Sequence, residues 1–205
     1  MPFYSNAPDN TRCVQACLRM ILKHLLNRDY SWEDLDEITL SKPGESTSPP
    51  TALMYMEKIG LETILIAEFD HQKFAEVGVG YLRDTYGDEV ADWQIANGDM
   101  EKSRSVSRAL LKSSVQYEHR TPTLEDIARY LKEGYTLFCG VNSNTLDGED
   151  GYRGHSIIIL SSGATTLEIH DPGLPSGPFR KVAKKIFIRA WAEHGPNIRA
   201  VRLPN

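Results

Sequence analysis

Three side chains in this 205-residue chain have the types and contexts needed for acyl transfer: Cys13, His155 and Asp171. A thiolate attacks a carbonyl, an imidazole moves the protons, and a carboxylate behind the ring fixes its tautomer and stabilises its charged form. Cys13 follows the turn-forming Pro8-Asp9-Asn10 and opens a helical pattern. With Asn10 as the N-cap, Cys13 is the third helical residue, within the first turn. Unpaired backbone N–H groups and the positive end of the helix dipole favour a thiolate there, and Arg12 adds positive charge. The competing reading makes Cys13 and Cys17 small apolar residues on the buried stripe with Met20, Ile21 and Leu25. Cys17, one turn further in, is assigned to the core.

His155 and Asp171 flank two strand-like runs joined by Ser161-Ser162-Gly163-Ala164. A hairpin turn centred on Gly163 sets Leu160 against Thr166 and His155 against Asp171. Directly opposed residues share a face, with Cβ atoms roughly 4.5–5.5 Å apart. His170 then points to the other face, and a slip of one residue would part the pair. Taken singly, a histidine at a strand start also reads as a surface residue, and Asp171-Pro172-Gly173 as a plain turn. The oxyanion of acyl transfer needs donors. The Cys13 N–H is one, and the side-chain amide of Asn6 is a second, with Asn10 as its competitor.

The elements that must hold these groups are legible as periodicities. Apolar residues recur at helical spacing from Arg12 to Leu26. Ser31 with Asp34, and Thr123 with Asp126, are capping-box starts, the second for a helix over Leu124–Lys132 that stops at Gly134. The stretch from Lys42 to Pro50 reads as a loop, 51–59 as a helix ended by Gly60, and 61–67 as a strand. Strands follow at 135–141, 156–160 and 165–170, with a loop over 142–154. The tail carries a basic amphipathic segment (181–188), a helix near 189–193 and a short strand (198–203). Helices first and antiparallel strands later give an α+β class. The whole chain reads as one domain, with 68–120 as a mostly helical insertion packed against the core or over a cleft. The Gly78/Gly80 pair within it reads as a helix break rather than a phosphate cradle.

Hydrophobic residues make up 40% and charged residues 25% of the chain, both ordinary for a soluble globular protein. A net charge of −5 leaves no electrostatic footprint for nucleic acid or an anionic membrane. Three cysteines make a disulfide framework improbable and a reducing compartment the simpler expectation. With no signal-peptide pattern and no apolar run of membrane-spanning length, a cytoplasmic protein is expected. A metal site from Cys13, Cys17, His155 and His170 is disfavoured. The C-x-x-x-C spacing is not the zinc pair, and the hairpin sends the two histidines to opposite faces. No cofactor is expected, and nothing in the sequence fixes an oligomeric state.

Asn6, the run Arg12-Cys13-Val14-Gln15-Ala16-Cys17-Leu18-Arg19-Met20, Gly154-His155-Ser156 with its apolar strand, and Ile169-His170-Asp171-Pro172 resemble a known family. It is the papain-like cysteine peptidases that remove double-glycine leaders from bacteriocin precursors, with their stand-alone relatives. The family spacing from nucleophile to methionine matches Cys13 and Met20. The resemblance implies a papain-like fold, a thioester acyl-enzyme on Cys13, and a peptide or small amide as substrate. It covers the first sixty or so residues and the last eighty. The chain departs from the family's Gln and Asp-Cys-Gly, having Asn6 and Arg12-Cys13-Val14. These departures keep open a second expectation, a papain-like fold serving as a non-catalytic binding or regulatory module.

Overall fold

Among the described residues the central feature is a seven-stranded sheet whose strand order departs sharply from chain order. The computed structural model describes residues 1–42 and 44–204, so one residue of the expected 42–50 loop, residue 43, lies outside the described part. The strands are β1 (Glu62–Ala67), β2 (Gln116–His119), β3 (Thr136–Asn142), β4 (Gly154–Ser162), β5 (Thr166–Asp171), β6 (Gly177–Ala183) and β7 (Asn197–Arg202). They lie in the order β2-β1-β7-β3-β4-β5-β6. Every neighbouring pair is antiparallel except β1 with β2. The C-terminal strand thus sits between β1 and β3 and joins the two halves of the sheet.

Helices cover both faces. On one lie α1 (Cys13–Leu26), α2 (Trp32–Thr39) and α3 (Pro50–Lys58). Their apolar stripes, Leu18, Ile21, Leu35 and Leu53 among them, pack on Leu65, Phe138, Ile158 and Val201 of the sheet. On the other lie α7 (Leu124–Lys132) and α9 (Lys184–His194), with Ile127, Phe187 and Trp191 packed on Leu137, Ile157 and Ile169. The apolar run of β4 is buried on both faces, as its composition requires. Both capping boxes form, at Ser31/Asp34 and Thr123/Asp126, and fix where α2 and α7 begin.

The stretch 68–120 forms α4 (His71–Val77), α5 (Val79–Asn97) and α6 (Met100–Leu110), then β2. Gly78 (φ 71°) separates α4 from α5, and Gly87 (φ 81°) kinks α5. The segment closes on the main sheet, because β2 pairs with β1. A short helix, α8 (Ser143–Asp147), occupies the start of the expected 142–154 loop. The expected basic amphipathic segment 181–188 is divided: 181–183 end the edge strand β6, and the rest joins the helix expected near 189–193, so that α9 begins at Lys184. No helix among the described residues is long and apolar enough to cross a membrane.

Candidate active site

The N-terminal turn is built around Asn6. Its Oδ1 accepts from the backbone N–H of Ala7 (2.9 Å) and Arg12 (2.8 Å), and its own N–H donates to the Pro172 carbonyl (2.7 Å). The buried side chain therefore shapes the approach to α1, and the backbone N–H of the same residue ties it to the end of β5, where Asp171 sits. Asn10 adopts a left-handed conformation (φ 56°), so the helix begins later than expected. Arg12 is the N-cap and Cys13 the first helical residue. The reason is the Asn6 carbonyl, which satisfies the Arg12 N–H that an Asn10 cap would have taken up. Cys13 stays within the first turn, where the backbone N–H groups have no partner within the helix.

Arg12 does not lend its charge to the thiol. Its guanidinium is turned onto Asp36 (3.0 Å) and Asp9 (3.0 Å). The buried Gln15 joins that cluster, donating to Asp36 and accepting from Thr47. The cationic partner of Cys13 is His155 instead.

β4 and β5 bring His155 to Asp171 by a register other than the one expected. Ser162 pairs with Leu167, Leu160 is bulged, and Ile159 pairs with Ile169. Continued to the open end, this sets Gly173 across from His155 and Asp171 across from Ile157. The two side chains are therefore diagonal neighbours on one face, still within reach of each other. His155 Nε2 lies 2.8 Å from Asp171 Oδ1. That leaves Nδ1 as the ring nitrogen free for the thiol. Gly173 lets the chain pass close to the pair: a Cβ there would come 3.0 Å from Asp171 Oδ1 and 3.3 Å from His155 Nε2, crowding both. Its N–H donates to the same oxygen (2.9 Å).

Arg180, on β6, completes the group and was not singled out from sequence. It donates to Asp171 Oδ2 (2.9 Å), Asp147 Oδ1 (2.8 Å) and the Leu146 carbonyl (2.7 Å). The only sequence signal for it would have been a strand at 177–183 beside β5, which the exposed, Pro-containing edge conceals.

The electrostatics select one cysteine. Burial opposes a thiolate at Cys13, but the hydrogen bond and positive charge of His155, helped by Ser156, hold the thiol below its ordinary value. Burial also opposes imidazolium at His155, yet Asp171 and Cys13 outweigh it and raise the ring to about 10. Burial pushes the Asp171 carboxyl up, and His155, the Gly173 N–H and Arg180 bring it below the usual carboxylate value. The pair is thus biased toward thiolate and imidazolium. Burial drives Cys17 well above the ordinary thiol value and Cys139 up to about 12, so both are inert.

Cys13 and His155 open onto a cleft of about 480 Å³. Its far wall is Trp93 and Asn97 of α5 with Tyr152. Asn10 lines this cleft and Asn6 does not. Asn6 is 5% exposed, and its Nδ2 donates to Asn10 Oδ1 at 2.9 Å, which corrects the expectation that its amide faces the reacting carbonyl. The same bond turns the Asn10 Nδ2 away from Asn6. His170, the other strand histidine, is fully buried between Phe3 and Phe179 and takes no part. Among the described residues, no group of three or more His, Cys, Asp or Glu is arranged to hold a metal ion.

No protein-family model and no curated protein sequence matches the chain. Solved structures do. The peptidase domain of Streptococcus ComA, a bifunctional ABC transporter involved in a quorum-sensing pathway, superposes with a TM-score of 0.54 and 14% identity, covering 98% of each chain. A C39-like peptidase from Bacillus anthracis aligns over 50% of this chain and 59% of its own, at 14% identity and a TM-score of 0.36. The first comparison gives the chain the fold of a papain-like peptidase domain. The second is too partial to add to it.

Proposed function

We propose that the protein is a cysteine-dependent hydrolase of peptide bonds, working through a thioester on Cys13. The observation that carries this reading is that Cys13 and His155 line one cleft, with Asp171 2.8 Å behind the ring and the thiol held below its ordinary value. The peptidase-domain fold supports it. The cleft, of ordinary ligand-site volume, has room for a short stretch of peptide around the scissile bond.

In the reaction, the Cys13 thiolate attacks the carbonyl carbon and the carbonyl oxygen becomes an oxyanion. The Cys13 N–H and the Asn10 amide donate to it, while Asn6 positions Asn10. Imidazolium at His155 gives its proton to the leaving nitrogen as the C–N bond breaks, leaving a thioester and a neutral ring. His155 then takes a proton from water, the hydroxide attacks the thioester, and the thiolate departs. Asp171 keeps Nε2–H engaged so that Nδ1 faces the reacting atoms throughout.

Cys13→Ala abolishes turnover on this reading. In the unmodified protein, iodoacetamide near pH 6 labels Cys13 far faster than Cys17 or Cys139, read by peptide mass spectrometry. Equal, slow labelling of all three would overturn it.

A further inference from the structure

A second cavity, of about 140 Å³, lies where β1 and β7 meet α4, α5 and α6. Leu65, Phe69, Phe74, Leu82 and Met100 make its apolar side, and hydroxyls such as Ser103 and Ser107 lie among them. Among the described residues it has one permanent charge, Arg199, since no Asp, Glu or Lys lines it. Arg199 stands in β7, in the middle of the sheet, and is 6% exposed. Its Nε and Nη1 are buried with no hydrogen-bond partner among the described residues, and its guanidinium lies over the Phe138 ring at 5.4 Å. A buried cation without a counter-charge is costly, and native structures rarely leave one so.

The two histidines in the wall do not compete for an anion. Burial holds His71 neutral, near 3, with its Nδ1 against Ser107 Oγ. Burial also holds His194 neutral, near 4, with its Nδ1 against the Tyr152 hydroxyl. Burial lowers Arg199 only to about 10, so it stays cationic at neutral pH.

We infer that this cavity binds a small carboxylate with a compact apolar body, its anion paired with Arg199. The volume sets the size, because an apolar cavity of roughly 150 Å³ accepts a benzene ring. A carboxylate is an anion that a guanidinium holds through charge-assisted hydrogen bonds. Ser46 lines both this cavity and the Cys13 cleft. The carboxylate therefore has two sources, a free organic acid or an acidic group of a peptide lying in the cleft.

The test is calorimetric titration of the full chain with benzoate, and it reads heat rather than turnover. It can be run on the Cys13→Ala protein, so its failure and that of the peptidase reading are separable. Saturable benzoate binding in the millimolar range or tighter is expected. Benzamide, the neutral isostere, should bind at least about tenfold more weakly, as should benzoate to Arg199→Met. The benzamide arm needs no variant, and Met in place of Arg removes an unpaired charge, so the fold should hold. Displacement of benzoate by a peptide with a free carboxylate, but not by its amidated form, identifies the peptide source. Benzoate undisturbed by both identifies a free acid. No saturable benzoate binding, equal binding of benzamide, or preference for inorganic phosphate would each overturn the inference.

Discussion

Replacing Asp171 by Asn isolates the electrostatic part of the site, because the volume of the side chain hardly changes. The carboxylate now accepts from His155 and Gly173 through Oδ1 and from Arg180 through Oδ2. An amide with its oxygen kept toward His155 turns an N–H against Arg180, and one with its oxygen toward Arg180 turns an N–H against the ring. Arg180 retains Asp147 and the Leu146 carbonyl, so the strand edge should survive. The ring, raised from 6.5 to about 10, owes its rise to Asp171 first and Cys13 second. The charge-assisted hydrogen bond that Asp171 makes to the ring is worth about 1.5–3 kcal/mol. Loss of that bond lowers the thiolate–imidazolium population, and iodoacetamide labelling of Cys13 at pH 6 should slow by about 10- to 150-fold. The stability profile gives a second readout with a definite sign. A raised imidazole contributes stability that is fully present below its unfolded value and is lost as pH rises through about 10. The stability gap between the native chain and Asp171→Asn should therefore narrow toward pH 10. A folded Asp171→Asn protein whose Cys13 labels at the native rate with the native pH dependence would refute the electrostatic account.

Two other changes test the scaffold. Asp126→Asn breaks a capping box and the ion pairs with Arg120 and Arg129, and should cost about 1–2 kcal/mol at pH 7 in urea unfolding. The Asp126 carboxyl sits well below its usual value, chiefly through Arg120. Its contribution is thus present above the ordinary carboxylate range and lost as pH falls, and the variant's deficit should shrink in acid. Gly140→Ala would set a Cβ 2.0 Å from His194 Nε2, a ring fixed on its other side by Tyr152. It should destabilise by about 1–3 kcal/mol, with the melting temperature as the measurement.

The sequence carried most of the local structure because local structure obeys local rules. The capping boxes at Ser31 and Thr123, the breaks at Gly60 and Gly78, and the apolar core of β4 each follow from residues within one turn or one strand. Strand neighbours do not. Nothing in residues 197–202 says that β7 joins β1 to β3, and a charged Arg199 argues against the middle of a sheet until the cavity beside it is seen. β6 escaped notice because it is an exposed edge containing Pro178, which removes the alternation that marks a half-buried strand. The His155–Asp171 contact is the instructive case. The turn spans Gly163 to Thr166, closed by the Gly163 N–H on the Thr166 carbonyl, and is not centred on Gly163. That displaces the pairing by three residues, and the bulge at Leu160 takes one back. A net displacement of two changes every partner and preserves every face, because side chains alternate with a period of two. The imidazole and the carboxylate therefore meet through a diagonal pairing, for a reason of parity. Without the bulge at Leu160 the displacement would be odd, and the two side chains would stand on opposite faces of the sheet.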